Sequence, residues 1–138
     1  MQRCACAVLW RDGQILLGRR SAERRFYPDR WDLVGGHVEA HESLERALAR
    51  ELHEELGVTP TEFVPIDVLS EPDEATHGAH EYHVYLVTKW EGTPTNAQPA
   101  EHSDVTWFPV AEAAQLDLAH PDYPDLFRRI AQLRRSPP

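Results

Sequence analysis

Glu42, Glu51, Glu54 and Glu55 fall in the run Gly36 to Val58, GHVEAHESLERALARELHEELGV, where a glycine pair leads into a helix-like segment. At roughly 100° per residue, Leu44, Leu48, Leu52 and Leu56 make one apolar stripe. Ala47, Glu51, Glu54 and Glu55 make a second stripe along its edge, and Arg46, Arg50 and His53 take the far side. Glu51 and Glu55 are like charges at i,i+4, a pair that costs a helix about 0.2–0.5 kcal/mol. Acids gathered on a helix edge at that cost point to a hard divalent cation. Mg²⁺ and Mn²⁺ favour oxygen ligands, and Mg²⁺ uses one or two protein carboxylates while sharing its other positions with water and phosphate. The plain alternative is a solvated, charge-balanced face in which Arg50 pairs with Glu54 at i,i+4.

Spacing separates the two readings. Gly36, Glu42 and the run Arg50-Glu51-Leu52-x-Glu54-Glu55-x-Gly57-Val58 resemble the signature of the Nudix hydrolases at every specified position, and a looser resemblance extends over nearly the whole chain. The resemblance implies an α+β fold, an α/β/α sandwich with a mixed β-sheet flanked by helices. It also implies Mg²⁺-dependent hydrolysis, with Mn²⁺ as a substitute, of a diphosphate linkage in a nucleoside diphosphate joined to a further group. Polyphosphate repels nucleophiles by its own charge, so cations must offset that charge and lower the pKa of bound water. By the resemblance, Glu51, Glu54 and Glu55 are metal-ligating carboxylates, the Gly35 carbonyl is a further ligand, and Glu42 and Arg50 orient the cluster from its edge. The proton acceptor for the attacking water is Glu51 or Glu101, the latter in PAEHSDVTWF just before a strand; His102 beside it is a weaker third candidate.

The flanks WDLVGGHVE and TKWEGTP are most similar to MutT-like enzymes, although Val34 stands where relatives often have proline. The expected reaction is therefore hydrolysis of a nucleoside triphosphate, standard, oxidised or otherwise modified, to monophosphate and pyrophosphate. Arg19, Arg24 and Arg25 in the basic loop Arg19 to Arg30, together with Gly36, are the expected phosphate contacts; the same arginines could instead balance Glu23 and Asp29. Phe26, Tyr27 and Trp31 are available to stack on a base, and His120 occupies the region where MutT-like enzymes read it. Other readings are a hydrolase of ADP-ribose or another nucleoside diphosphate sugar, for which Pro72 lies near the downstream proline of that subgroup, and a non-catalytic ligand-binding regulatory module, which would commonly have lost box acids. An isomerase of the isopentenyl diphosphate type is disfavoured, because Cys4 and Cys6 are poorly placed for its catalytic cysteine.

The elements that must hold these residues can be read in order. Cys4 to Trp10 and Ile15 to Leu17 read as a hairpin around Asp12-Gly13, and Trp31 to Val34 as a short strand delivering Gly35-Gly36, where tight turning and close backbone approach are expected. Ser43 as N-cap and Gly57 as C′ residue bound a helix from Leu44 to Leu56. Thr61 to Ser70 and Glu81 to Trp90 are strand-like, the second buried on both faces, with polar loops at Glu71 to His80 and Glu91 to Ser103. Asp104 to Phe108 is a further strand, Val110 to Leu116 a short helix and Tyr123 to Arg135 a terminal helix.

With 138 residues the chain is expected to form a single domain, 1–138. Its formal net charge of −9 argues against duplex nucleic acid or an anionic membrane as partner, and leaves a nucleotide or nucleoside diphosphate-linked small molecule reached through metal. A homodimer stays open. No transmembrane run or secretory signal is present in the sequence, so the expected location is the cytoplasm. Cys4 and Cys6, i,i+2 on a strand, point to one face and are read as buried reduced thiols.

Overall fold

The computed structural model describes residues 1–135; the last three residues of the expected 1–138 domain lie outside the described residues. In chain order the elements are β1 (Gln2–Arg11), β2 (Gln14–Arg20), β3 (Trp31–Asp32), β4 (Val34–His37), α1 (Leu44–Leu56), β5 (Thr59–Ser70), α2 (Glu74–His77), β6 (His80–Glu91), β7 (His102–Pro109), α3 (Val110–Ala113) and α4 (Tyr123–Arg135). The strands form one mixed sheet in the order β3-β2-β1-β6-β5, with β4 also on β1 and β7 also on β2. Strand β1 runs parallel to β6, and the other pairings are antiparallel. No helix among the described residues is long and apolar enough to cross a membrane.

Strand β1 shows how one alternating sequence builds two cores. Cys4, Cys6 and Val8 pack with Phe127, Leu126 and Ile130 of α4, while Ala5, Ala7 and Leu9 pack with Leu48, Leu52 and Leu56 of α1. Helices therefore cover both faces, the α/β/α sandwich that the resemblance implied. Cys4 and Cys6 are free and buried on the α4 side.

Strands β1 and β2 are registered only at Trp10↔Ile15 and Arg11↔Gln14, and then diverge. The chain from Trp31 to His37 fills the fork: β3 pairs with β2, and β4 with β1 through Cys6↔Gly35 and Ala5↔Gly36. The glycine pair thus lies in a strand rather than in the tight turn expected of it. Close approach is the reason for glycine, because a Cβ on Gly35 would stand 2.1 Å from the Ala5 carbonyl oxygen.

Helix α1 has the expected bounds. Ser43 Oγ accepts from Arg46 N, and Gly57, at φ 73°, donates to the last turn. Leu48, Leu52 and Leu56 are fully buried, worth roughly 1.5–3 kcal/mol each, which outweighs the like-charge cost of the acids beside them. The polar stretch Glu71 to His80 contains the single turn α2, capped by the Asp73 side chain on Thr76 N.

Candidate active site

The edge of α1 that carries acids faces β4. The Glu51 carboxylate lies where a Cβ on Gly36 would be, 2.6 Å from its Oε1, so glycine at that position makes room for an acid. One turn on, Glu55 is only 2% exposed. His102, at the start of β7 and 3% exposed, places Nε2 2.7 Å from Glu55 Oε1. No donor among the described residues reaches Glu55 Oε2, which is buried. Glu101 completes a group in which one ligand atom each from Glu55, Glu101 and His102 lies within 4.8 Å of the others.

Burial, followed by the neighbouring Glu51 and Glu101 acids, pushes the Glu55 carboxyl up to about 10. Burial lowers the His102 imidazole. A buried acid beside two others, with one oxygen that no donor reaches, leaves the site short of positive charge. Hard oxygens, one of them an orphan, suit a small divalent cation. The residues therefore fit the metal that the box implies.

Arg50 corrects one expectation. Instead of taking the far side of α1, its side chain is about one-quarter exposed and folds back over the acids. Its Nε and Nη2 donate to Glu42 at 2.7 and 2.9 Å, Nη1 donates to Glu51 at 2.9 Å, and Nη2 also donates to the His37 carbonyl at 3.0 Å. A long side chain can leave the direction of its Cβ, and a planar fork of donors rewards it for meeting two carboxylates. The Arg50 hydrogen bonds hold Glu42 down at about 2. Glu54 is half exposed and meets Arg50 at 3.4 Å, at the solvent side of the group.

Of these acids Glu55 lines a cleft of about 130 Å³ bounded by β4, the loop 21–30 and the loop 71–80. Gly35, Gly36, His37, Glu55 and His102 line it together with the rings of Phe26, Tyr27, Tyr82 and His120. Of the basic loop, Arg24 lines the cleft and lies 3.9 Å from Glu101. Arg19 instead pairs with Asp29, and Arg25 lies over the Phe26 ring; neither lines the cleft. Arg20 does, fixed by Asp32 at 3.1 Å and by the Phe26 carbonyl. Trp31 packs edge-on against Phe108 in the core rather than in the cleft. His120 is buried, with Nε2 2.8 Å from the Ser70 carbonyl and Nδ1 accepting from Asp122 N.

Sequence reasoning passed over Glu71. Its side chain is wholly buried and accepts from Tyr27 Oη at 2.6 Å, Tyr82 Oη at 2.7 Å and Asp73 N at 2.7 Å, with His77 Nδ1 at 3.3 Å. Burial alone would raise this carboxyl, yet the donors bring it down to about 2. The network ties the loop 21–30 to the loop 71–80 at the cleft, and Phe26 stacks on His77 at 4.1 Å beside it.

The model of the NUDIX domain family matches residues 1–130. The chain is 36% identical over 138 residues to a CTP pyrophosphohydrolase of Escherichia coli K12, spanning 100% of this chain and 97% of that protein. It is 32% identical over 123 residues to the nucleoside triphosphatase NudI of Escherichia fergusonii, spanning 82% and 85%. The solution structure of the Escherichia coli ORF135 protein superposes with a TM-score of 0.79 at 32% identity, covering 100% of this chain and 94% of that one.

Proposed function

The chain belongs to the Nudix hydrolase family, enzymes that hydrolyse phosphorus-containing anhydrides, and from that premise we propose that it is a divalent-metal-dependent pyrophosphohydrolase converting a nucleoside triphosphate to its monophosphate and pyrophosphate. The observation that carries this reading is a cleft lined both by Glu55 and His102, next to the other box acids, and by the aromatic side chains Phe26, Tyr27 and Tyr82, a lining that offers partners to a metal-bound phosphate chain and to a base. The end-to-end similarity to a CTP pyrophosphohydrolase supports a triphosphate, and makes CTP the first substrate to test.

Glu51 and Glu55 would hold Mg²⁺ or Mn²⁺, with Glu54 at the rim and the Gly35 carbonyl as a further ligand. When bound, the cation offsets phosphate charge and makes a bound water more acidic. The chain's own residues do the rest. Arg50 keeps Glu42 and Glu51 in place. Arg24 stands where a phosphate oxygen can take it from Glu101, freeing that carboxylate to accept a proton from the attacking water. Tyr27, Tyr82 and Phe26, which line the cleft, would pack against the base.

The test is kcat/KM for nucleoside triphosphates and for ADP-ribose at fixed Mg²⁺, with products identified by phosphorus NMR. The reading expects monophosphate and pyrophosphate from triphosphates, and no turnover in excess chelator. An advantage of about a hundredfold for ADP-ribose, beyond what small pocket differences supply, or orthophosphate as the only primary product, would contradict it.

A further inference from the structure

We infer that His102 is a positioning residue: it holds Glu55 by one carboxylate oxygen and thereby presents the other to the cation. The inference rests on the metal-binding reading above and adds to it a support that no box residue supplies. In β7, Val105 and Trp107 face α1, and strict alternation would bring Ser103 to that face next. The β2–β7 register shifts at this point, with Arg19 opposite Asp104 but Arg20 opposite His102. A bulge of this kind re-aims a side chain, and here it turns the imidazole inward onto Glu55 of α1, 47 residues away.

The backbone that carries the imidazole is held from several sides, and the ring itself is fixed by Glu55 and by packing, its Nδ1 meeting no donor or acceptor among the described residues. Asn96 Nδ2 donates to the His102 carbonyl at 2.8 Å, and His102 N donates to the Gln98 carbonyl at 3.0 Å. Ser21 binds the preceding carbonyls, with Oγ on Ala100 and N on Glu101. On the sheet side the ring lies over Gly18, where a Cβ would stand 2.7 Å from Nδ1 and 3.2 Å from Cγ. Gly18 sits in an ordinary strand, so the missing side chain serves the ring rather than the backbone. With Nε2 as donor, Glu55 Oε1 is satisfied and oriented, and the buried Oε2 is the one left open. A partner behind a ligating carboxylate fixes its direction, and losing such a partner typically weakens metal binding about 10–100-fold.

Mn²⁺ binding to the nucleotide-free protein, followed by electron paramagnetic resonance, tests the assignment without turnover. His102→Leu should weaken binding about 10–100-fold, whereas His102→Gln, which keeps a donor at similar reach, should stay within about threefold of wild type. Gly18→Ala should weaken it by about tenfold through displacement of the ring, with every acid still in place. Wild-type affinity in both His102→Leu and Gly18→Ala would overturn the assignment, as would a Gln variant no better than Leu. Spin-echo modulation from a directly bound imidazole nitrogen in the wild type would make His102 a ligand and overturn the positioning role. A wild type that binds no Mn²⁺ would remove the metal reading itself, a failure distinct from the loss of positioning alone.

Discussion

Glu55 and Glu71 are both buried carboxylates lining one cleft, and their surroundings drive them in opposite directions. Glu71 has two phenols, a backbone amide and an imidazole around it, and its carboxyl is held at about 2. Glu55 has one imidazole and two further acids, an oxygen with no donor, and a carboxyl pushed up to about 10. Burial is common to the two and therefore does not mark function. What distinguishes them is whether the protein supplies the compensating donors. A carboxylate satisfied by its own chain fastens loops together, and one left short is complementary to a cation brought from outside.

The largest expected effect breaks the Glu55 side of that contrast. Glu55→Gln keeps shape and removes charge, so triphosphate turnover should fall by about a thousandfold, the loss of several kcal/mol of charge stabilisation. Thermal stability in chelator should be unchanged or raised, since the substitution removes an uncompensated acid. Coupled pyrophosphate detection and thermal unfolding read the two quantities. Glu71→Gln should do the reverse, destabilising the fold by about 2–4 kcal/mol in denaturant titrations as an amide replaces the charged acceptor of a buried network, while metal-dependent stabilisation survives.

The pH dependence sharpens the same contrast. The folded Glu55 carboxyl is raised from 4.5 to about 10, so the stability it contributes is full below about 4.5 and drains as pH rises towards 10. For Glu71 the folded value is depressed from 4.5 to about 2, so its contribution is present above about 4.5 and is lost as pH falls towards 2. In chelator the Tm of the wild type should therefore decline from pH 5 to pH 9 more steeply than that of Glu55→Gln, and saturating Mg²⁺ should flatten the difference. Parallel curves would contradict the assignment of that slope to Glu55. The smallest effect concerns the cleft mouth: Arg24→Ala should raise KM for triphosphates by roughly three- to tenfold, the scale of one charge-assisted contact, and Arg25→Ala should not.

Helix α1 was legible because its signals are local. A leucine stripe, a serine cap and a glycine stop all fall within one run and agree. The acids on its edge were legible for the same reason. The support behind Glu55 was not, because His102 lies 47 residues on and reaches the site only through a register shift that alternation hides. Glu71 was read as loop because nothing adjacent shows that Tyr27, 44 residues earlier, will meet it. The helical wheel put Arg50 on the far side because it follows Cβ and the guanidinium does not, whereas the resemblance had set Arg50 beside the carboxylates, where it lies. In the loop 19–30 the charge-balancing alternative holds for part of the arginines: Arg19, Arg20 and Arg30 are engaged by Asp29, Asp32 and Asp117.

Anomalous diffraction from crystals soaked in Mn²⁺ would compare the two buried acids in one experiment. The account predicts a peak within bonding distance of Glu55 Oε2 with Glu51 beside it, none at Glu71, and loss of the peak in Glu55→Gln. A peak at Glu71, or a Glu55→Gln crystal that keeps the wild-type peak, would contradict it.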